Sequence, residues 1–285
     1  MDAKRLTEYL ARTLPSDSEV RVIDFKRIPG GSSRETYSFD VQWTDNGVRH
    51  TRPMIGRRDP TGGLLKTERG REFNVIQAMF RAGMQIPEPL YLELDPSVMD
   101  RPFFIMQRLP GRTATGGQAM VEPQPLREKI ADQFLSEMAK LHSLDWRALG
   151  LDWLGAPSNN AEPAPAQTEH WIEIYQRDRM DENYPILDAA FAWLRKNPVV
   201  ADRITLVHGD FRGGNSLFDD NGMIAMLDWE MTHLGDPLED LGWSSMLLWG
   251  FEDLAGGLLE RERYYKLYEQ KTGTASVRRH DYALW

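Results

Sequence analysis

Cysteine is absent from the 285 residues. No disulfide framework, thiolate nucleophile, iron-sulfur cluster or thiolate zinc site is available, and such a composition suits a reducing compartment. Long apolar runs are missing as well, since nothing approaches the roughly 18 consecutive apolar residues needed to span a bilayer. The start, Met1-Asp2-Ala3-Lys4-Arg5, has neither the apolar core nor the small-residue cleavage site of a secretory signal. These absences give the expectation of a cytoplasmic protein without a membrane partner. Basic runs are scarce too. With 34 Lys plus Arg against 43 Asp plus Glu and a formal net charge of −9, the chain offers no extended basic face, which argues against nucleic acid as a partner. What remains is an ordinary globular composition, 41% hydrophobic with 23 Gly and 17 Pro. At about 150 residues per domain its length fits roughly two units.

Leu6, Leu10 and Leu14 recur at helical spacing before Pro15, which predicts a short first helix. Val20, Val22 and Phe25 suggest a strand. Tyr37-Ser38-Phe39-Asp40-Val41-Gln42-Trp43 alternates apolar and polar without a miss, the period of a half-buried strand, and Asp45-Asn46-Gly47 supplies a hairpin turn. The connections are too short for crossovers, so the first sheet is expected to be an antiparallel meander. A third strand near Arg52 to Arg58 contains Pro53, which predicts an edge or bulge position. Glu68 to Arg81 reads as a helix with Phe73, Ile76, Met79 and Phe80 on one face, stopped by Gly83 and Pro87. Further strands are expected at Pro89 to Leu94 and Phe103 to Leu109. The pattern breaks at Arg108-Leu109-Pro110-Gly111, giving lobes of residues 1–107 and 108–285. A long buried helix is expected from Arg127 to Leu144, and residues 155–168, rich in Pro, Ala and Asn, are expected as a loop.

Ile204 to Phe218, with Met223 to Leu227 and Asp228-Trp229-Glu230, carries the densest chemistry. Two short apolar strands flank a turn at Asp219-Asp220-Asn221-Gly222, so a hairpin brings Asp210, Asn215 and Asp228 to one end. Two carboxylates and an amide carbonyl form an all-oxygen set suited to a hard cation such as magnesium. Phosphoryl transfer needs a cradle for the nucleotide phosphates, a cation on them, oxygen ligands for magnesium and a carboxylate beside the acceptor hydroxyl. Candidates exist for all four. Gly30-Gly31-Ser32-Ser33 lies in a glycine-rich turn between strands, Arg57 or Arg58 offers positive charge, Glu68 or Glu72 a counterion, and Asp210, Asn215 and Asp228 the rest.

Taken in order, these segments resemble the aminoglycoside phosphotransferase-like family, small-molecule kinases with the protein-kinase fold, and more closely its branch fused to acyl-CoA dehydrogenase domains. The resemblance is carried by Gly30-Gly31-Ser32-Ser33-Arg34-Glu35-Thr36-Tyr37, Arg71-Glu72-Phe73, Arg101 to Gly111, Leu141 to Trp146, His208-Gly209-Asp210 with Asn215, Asp228-Trp229-Glu230, and Gly235-Asp236-Pro237-Leu238-Glu239-Asp240-Leu241. It implies an α+β, protein-kinase-like two-lobed fold, with an antiparallel sheet and one main helix in the N-terminal lobe and a mostly helical C-terminal lobe. It implies ATP and Mg²⁺ as cofactors and a small-molecule hydroxyl as acceptor. Asp210 would orient or deprotonate that hydroxyl, Asn215 and Asp228 would bind magnesium, and the peptide from Met106 to Arg108 would meet the adenine. No phosphate-contacting lysine is evident at Met54-Ile55-Gly56-Arg57-Arg58. The resemblance aligns Arg57 there, with Arg58 as the alternative and Lys66 a weaker one, and Glu72 as its partner.

Other readings have their own signals. The missing lysine suits a nucleotide-binding regulatory module without turnover. Asp210 with Asp228 or Glu230 suits a carboxylate-pair hydrolase, which leaves Asn215 and the N-terminal sheet unexplained. His208 reads as a structural histidine, and Asp236-Pro237-Leu238-Glu239 as a capping box opening a helix.

Overall fold

The computed structural model describes residues 1–15, 19–29, 35–59, 69–114, 123–179, 182–246 and 254–278. Gly30, Gly31, Ser32 and Ser33 lie outside the described residues, as do Lys66 and Glu68. Two compact units are present, Met1–Pro110 and Gly111–Trp285, so the division falls at Pro110/Gly111 rather than at Gln107/Arg108.

In the first unit, α1 (Ala3–Thr13) opens on Asp2, whose carboxylate accepts the Arg5 N–H at 2.9 Å. The strands β1 (Arg21–Ile28), β2 (Glu35–Asp45), β3 (Val48–Arg58), β4 (Pro89–Glu93) and β5 (Phe103–Gln107) form one antiparallel sheet in the order β1-β2-β3-β5-β4. Asn46 and Gly47 take positive φ (50° and 74°) between Asp45 and Val48, the left-handed geometry that a two-residue hairpin turn demands. Tyr37, Phe39 and Val41 of β2 join Leu6, Tyr9 and Leu10 of α1 and Phe103 and Ile105 of β5 in one core cluster. On the opposite face Phe104 meets Phe73 of α2 (Arg69–Arg81), with ring centroids 5.8 Å apart. With helices on both faces, the run Phe103-Phe104-Ile105 is buried without alternation.

Two expectations about this unit are corrected. Pro53 sits in a central strand, between β2 and β5. Its backbone faces the β5 side just where β5 ends, and its carbonyl accepts the Arg108 N–H at 3.1 Å, so the missing N–H removes no bond to β2. Phe80, predicted on the buried face of α2, is 41% exposed, while Phe73, Ile76 and Met79 fill the interface.

The second unit is organised around α4 (Gln124–Ser143), whose Ile130, Phe134, Leu135, Met138 and Leu141 are buried. Against it pack α8 (Arg261–Thr272), through Tyr264, Tyr265 and Tyr268, and two small sheets. One sheet joins β6 (Arg112–Thr113), β8 (Ser216–Asp219) and β9 (Gly222–Met226); the other pairs β7 (Thr205–Val207) with β10 (His233–Gly235). The strands β11 (Leu254–Ala255) and β12 (Leu259–Glu260) precede α8. A four-residue helix in the first unit, α3 (Pro96–Met99), and α5 (Pro163–Asp178), α6 (Pro185–Lys196) and α7 (Leu238–Ser244) in the second complete the set.

Here too the structure departs from expectation. Residues 163–168, expected as loop, form the first turn and a half of α5, because Pro163 stands at a position where a missing N–H costs no helical bond. The capping box at α7 is only half formed. Asp236 accepts the Leu238 N–H at 2.9 Å, whereas Glu239 turns to His233 instead of back to the cap. Among the described residues no helix is long and apolar enough to cross a membrane.

Candidate active site

The loop after β7 is built on a buried carboxylate. Asp240 of α7 accepts the His208 N–H at 2.8 Å, the Gly209 N–H at 2.9 Å and the His142 Nε2–H at 3.1 Å. Tyr268 donates to the other nitrogen of His142 at 2.7 Å, which fixes the tautomer. Burial alone would raise the Asp240 carboxyl, but the hydrogen bonds it accepts from the His142 ring and the His208 backbone override that and hold it below the ordinary range. Gly209 has φ +83°, and a Cβ there would sit 2.8 Å from the Met231 carbonyl oxygen, so both conformation and space require glycine. His208 is 0% exposed. It accepts the Asp210 N–H on Nδ1 at 3.1 Å and donates from Nε2 to the Leu227 carbonyl at 3.1 Å. Burial lowers its pKa against the pull of Asp240, Asp210 and Asp228, so the ring is a neutral brace.

Asp210 emerges from this brace with a side chain 16% exposed. Its Oδ1 accepts from Arg212 Nε at 2.8 Å and from the Trp243 indole at 2.7 Å, and its Oδ2 accepts from Asn215 Nδ2 at 2.6 Å. A carboxylate oxygen has two lone-pair sites, so Oδ1 is filled and Oδ2 keeps one. Asn215 ends a single 3₁₀ turn, Gly213–Asn215, that leads into β8. The Leu227 N–H donates to the Asn215 carbonyl at 2.8 Å and closes the β8–β9 hairpin beside Asp228. Asp228 itself has φ +68° and ψ 63°, a left-handed conformation uncommon for a residue with a side chain. Asp210, Asn215 and Asp228 therefore lie at one end of the hairpin, with only oxygen atoms to offer a cation: two carboxylates and the Asn215 amide oxygen, its nitrogen being turned to Asp210. Such a donor set suits a hard ion that also takes water and phosphate oxygens. Among the described residues no group of three or more His, Asp or Glu side chains could hold a metal by itself.

In the first unit Arg57 Nη1 donates to Glu72 Oε1 at 2.8 Å, with both side chains nearly buried. Arg58, one residue on and therefore on the other face of β3, forms two hydrogen bonds to Glu35, at 2.8 and 2.6 Å, and one to the Met99 carbonyl. Met106 pairs with Ile55 on one side and Pro89 on the other. Arg108 is committed within the unit, its guanidinium to Ser38 and Asp40 at 2.7 Å each and its N–H to Pro53.

Beside the His208 loop, α5, α6 and the residues that follow α6 line an open cavity of about 490 Å³. Its walls are chiefly Trp171, Leu187, Phe191, Leu194 and Trp243, and it reaches Gly209. Among the described residues Glu239 is its one ionisable lining group, and it is paired with His233 at 2.9 Å. The other His233 nitrogen faces the Met231 carbonyl at 2.9 Å, so both nitrogens meet acceptors and the ring is cationic. Burial opposes that charge, but Glu239 and the Met231 carbonyl outweigh it and raise the His233 pKa to about 9. Among the described residues the pair leaves the cavity wall without net charge. Sequence places His142 and Asp240 in segments that carry the resemblance and Trp243 among core or cleft-wall tryptophans, but assigns none of them, nor Arg212, a role in holding Asp210 or its loop. Asp240 and Trp243 lie on the helix opened by Asp236-Pro237, and their three-residue spacing on one helical face was the available signal.

The family model described as "Phosphotransferase enzyme family" matches residues 24–279. Acyl-CoA dehydrogenase family member 10 of Mus musculus is 30% identical over 233 residues, covering 76% of this chain, which spans 21% of that relative's length. A Ralstonia eutropha structure assigned as an aminoglycoside phosphotransferase superposes with a TM-score of 0.70 at 25% identity, covering 95% of this chain and 80% of that one. A thermostable mutant of aminoglycoside phosphotransferase APH(4)-Ia, in ternary complex with ADP and hygromycin B, has the same fold, with a TM-score of 0.60 at 19% identity over 99% of this chain and 87% of that one. With nine-tenths of its length matched and a kinase-like fold in common with these structures, the chain belongs to the phosphotransferase enzyme family.

Proposed function

We propose that the protein transfers the γ-phosphoryl group of ATP, with Mg²⁺, to a hydroxyl of a small molecule, and that Asp210 is its catalytic residue. The observation that carries this reading is the Asp210 carboxylate, held by three donors with one Oδ2 lone pair left over. That is the geometry for accepting a hydrogen bond from an alcohol and aiming its oxygen. Phosphoryl transfer runs through a loose transition state, so aim matters more than base strength.

Magnesium, when bound, neutralises charge on the phosphates; Asn215 and Asp228 are the residues that would hold it. Arg57, kept straight by Glu72, would meet the nucleotide phosphates as a planar fork in place of a lysine's point charge. The Gly30-Gly31-Ser32-Ser33 turn would cradle the phosphates through its backbone. At the Met106 to Arg108 edge the Gln107 and Arg108 N–H groups are occupied by the Glu88 and Pro53 carbonyls, so adenine would be met by the remaining backbone groups. The cavity beside Gly209 supports an acceptor with an apolar body: among its described lining residues the one carboxylate, Glu239, is already paired with His233 and offers little to a polycation such as an aminoglycoside.

Calorimetric titration of ATP and GTP, with and without Mg²⁺, tests the nucleotide half on wild type and Asp228→Ala. Magnesium-dependent binding that is lost in the variant supports the assignment, and an unchanged magnesium dependence removes Asp228 from it. ADP release with hydroxyl acceptors tests the transfer half. Asp210→Asn is expected to bind nucleotide normally and to lose most transfer, so full activity in that variant refutes the role of Asp210.

A further inference from the structure

The helix α6 has the composition of a buried helix and the exposure of a surface one. Nine of its twelve residues are apolar, and none is buried. A helix that is apolar on every side ordinarily lies inside a protein. Its inner side is accounted for. Leu187, Phe191 and Leu194 line the cavity, the Tyr175 hydroxyl of α5 donates to Asp188 at 3.0 Å, and Arg195 donates twice to Glu169 of α5, at 2.6 and 2.5 Å. At about 100° per residue, the side turned away from these contacts carries Ile186, Ala189, Ala190, Trp193 and Lys196. Ile186 is 84% exposed and Trp193 49%, and five of the ten large apolar side chains exposed among the described residues fall between Tyr184 and Val200. Apolar side chains exposed singly need no explanation, whereas a concentration of this kind marks an interaction surface.

We propose that this outer face of α6 pairs with the same face of a second copy of the chain, as an antiparallel helix pair about a two-fold axis. Charge identifies the occupant. Asp188 and Arg195 are spent on α5, which leaves the outer face a cation at its C-terminal end, Lys196, and a carboxylate just before its N-terminus, Glu182. Among the described residues neither has an ion-pair partner; Glu182 accepts a hydrogen bond from the Tyr184 hydroxyl. Acid at one end and base at the other make the face complementary to its own reverse, which is the arrangement a two-fold axis produces. With the axis between Ala189 and Ala190, Ile186 of each copy meets Trp193 of the partner subunit, and Lys196 meets Glu182 of the partner subunit. The alanines at the crossing let the two helix axes approach to about 8 Å. A membrane surface suits the face less well, because helices that lie on membranes gather several Lys and Arg beside their apolar face, and α6 offers Lys196 alone. One helix face is smaller than the ~800 Å² per partner of a standard interface, so the dimer is expected to be weak, dissociating in the micromolar range.

Sedimentation velocity of the full chain, from micromolar to several hundred micromolar, tests this. A monomer–dimer equilibrium is expected, and Ile186→Asp with Trp193→Glu is expected to abolish it while leaving the circular dichroism of the monomer unchanged, since both side chains are exposed. Lys196→Glu is expected to raise the dimer Kd by roughly tenfold, because the two-fold axis counts the new repulsion twice, and adding Glu182→Lys is expected to restore it. That reversal identifies a second copy as the occupant, since a different partner would not follow the exchange. The chain contains no cysteine, so a single Ala189→Cys reports on the axis directly. It is expected to form a disulfide-linked dimer under mild oxidation, whereas Ala11→Cys on the exposed side of α1 stays monomeric. A chain that remains monomeric at every concentration overturns the proposal. So does a dimer that survives Ile186→Asp with Trp193→Glu, or one that ignores the charge exchange. A monomer that instead sediments with phosphatidylserine vesicles, and loses them with the same double variant, overturns it in favour of a membrane.

Discussion

Replacing Asp240 with asparagine removes one charge from the centre of the second unit and leaves the shape unchanged. The native carboxylate receives three buried donors, from His208 N, Gly209 N and His142 Nε2. An amide offers a single acceptor oxygen, and its NH₂ faces a third donor. One buried N–H is therefore orphaned, at about 1–3 kcal/mol, and the two that remain fall from charge-assisted to neutral bonds at about 1 kcal/mol each. The expected loss is about 3–5 kcal/mol against a total stability on the order of 5–15 kcal/mol. For a unit of this size each kcal/mol moves Tm by roughly 2–4 °C, so Asp240→Asn is expected to melt roughly 6–20 °C lower. Urea unfolding followed by tryptophan fluorescence gives the free energy directly. Asp220→Asn, which breaks an exposed pair with Arg112, serves as the control and is expected to move stability by under about 0.5 kcal/mol. A change below about 1 kcal/mol in Asp240→Asn, with an unchanged m-value, would refute the claim that this carboxylate organises the His208 loop.

The His233–Glu239 pair predicts a pH dependence. A pKa raised to about 9 means that its stabilisation is fully present below the unfolded histidine value of about 6.5 and is lost as pH rises through 9. Wild type is expected to lose at most about 3 kcal/mol between pH 7 and 10, a slope that Glu239→Gln flattens; parallel pH profiles for the two proteins would contradict this. On the function proposed above, Gly209→Ala, which forces a Cβ onto the Met231 carbonyl at a positive φ, is expected to cut phosphoryl transfer more than roughly 100-fold in single-turnover assays without loss of nucleotide binding by calorimetry. Glu72→Ala is expected to cost about 3–5 kcal/mol by leaving the Arg57 charge nearly buried without its carboxylate, and Arg57→Met with Glu72→Leu to recover most of it in urea unfolding. Equal stabilities of the single and double variants would speak against coupling between the two side chains.

Much of the architecture is legible in the sequence because it rests on short-range rules. The alternation of β2 along residues 37–43, the Asn46-Gly47 turn and the leucine stripe of α1 follow from backbone geometry within a few residues of each position. The same holds for the two strands around Asp219 to Gly222, which bring Asn215 and Asp228 to one end of a hairpin. Tertiary structure decided the rest. Whether Arg57 or Arg58 meets Glu72 depends on which face of β3 lies under α2, a choice between adjacent residues that period-two alternation makes absolute but does not orient. Pro53 is tolerated centrally because β5 happens to end beside it. Glu239 serves His233 and not the helix cap, Asp240 reaches back some thirty residues to the His208 loop, and Trp243 joins the cavity to Asp210. Those partners are remote in sequence, and a side chain's choice among competing donors and acceptors is settled by burial and distance only after the chain has packed.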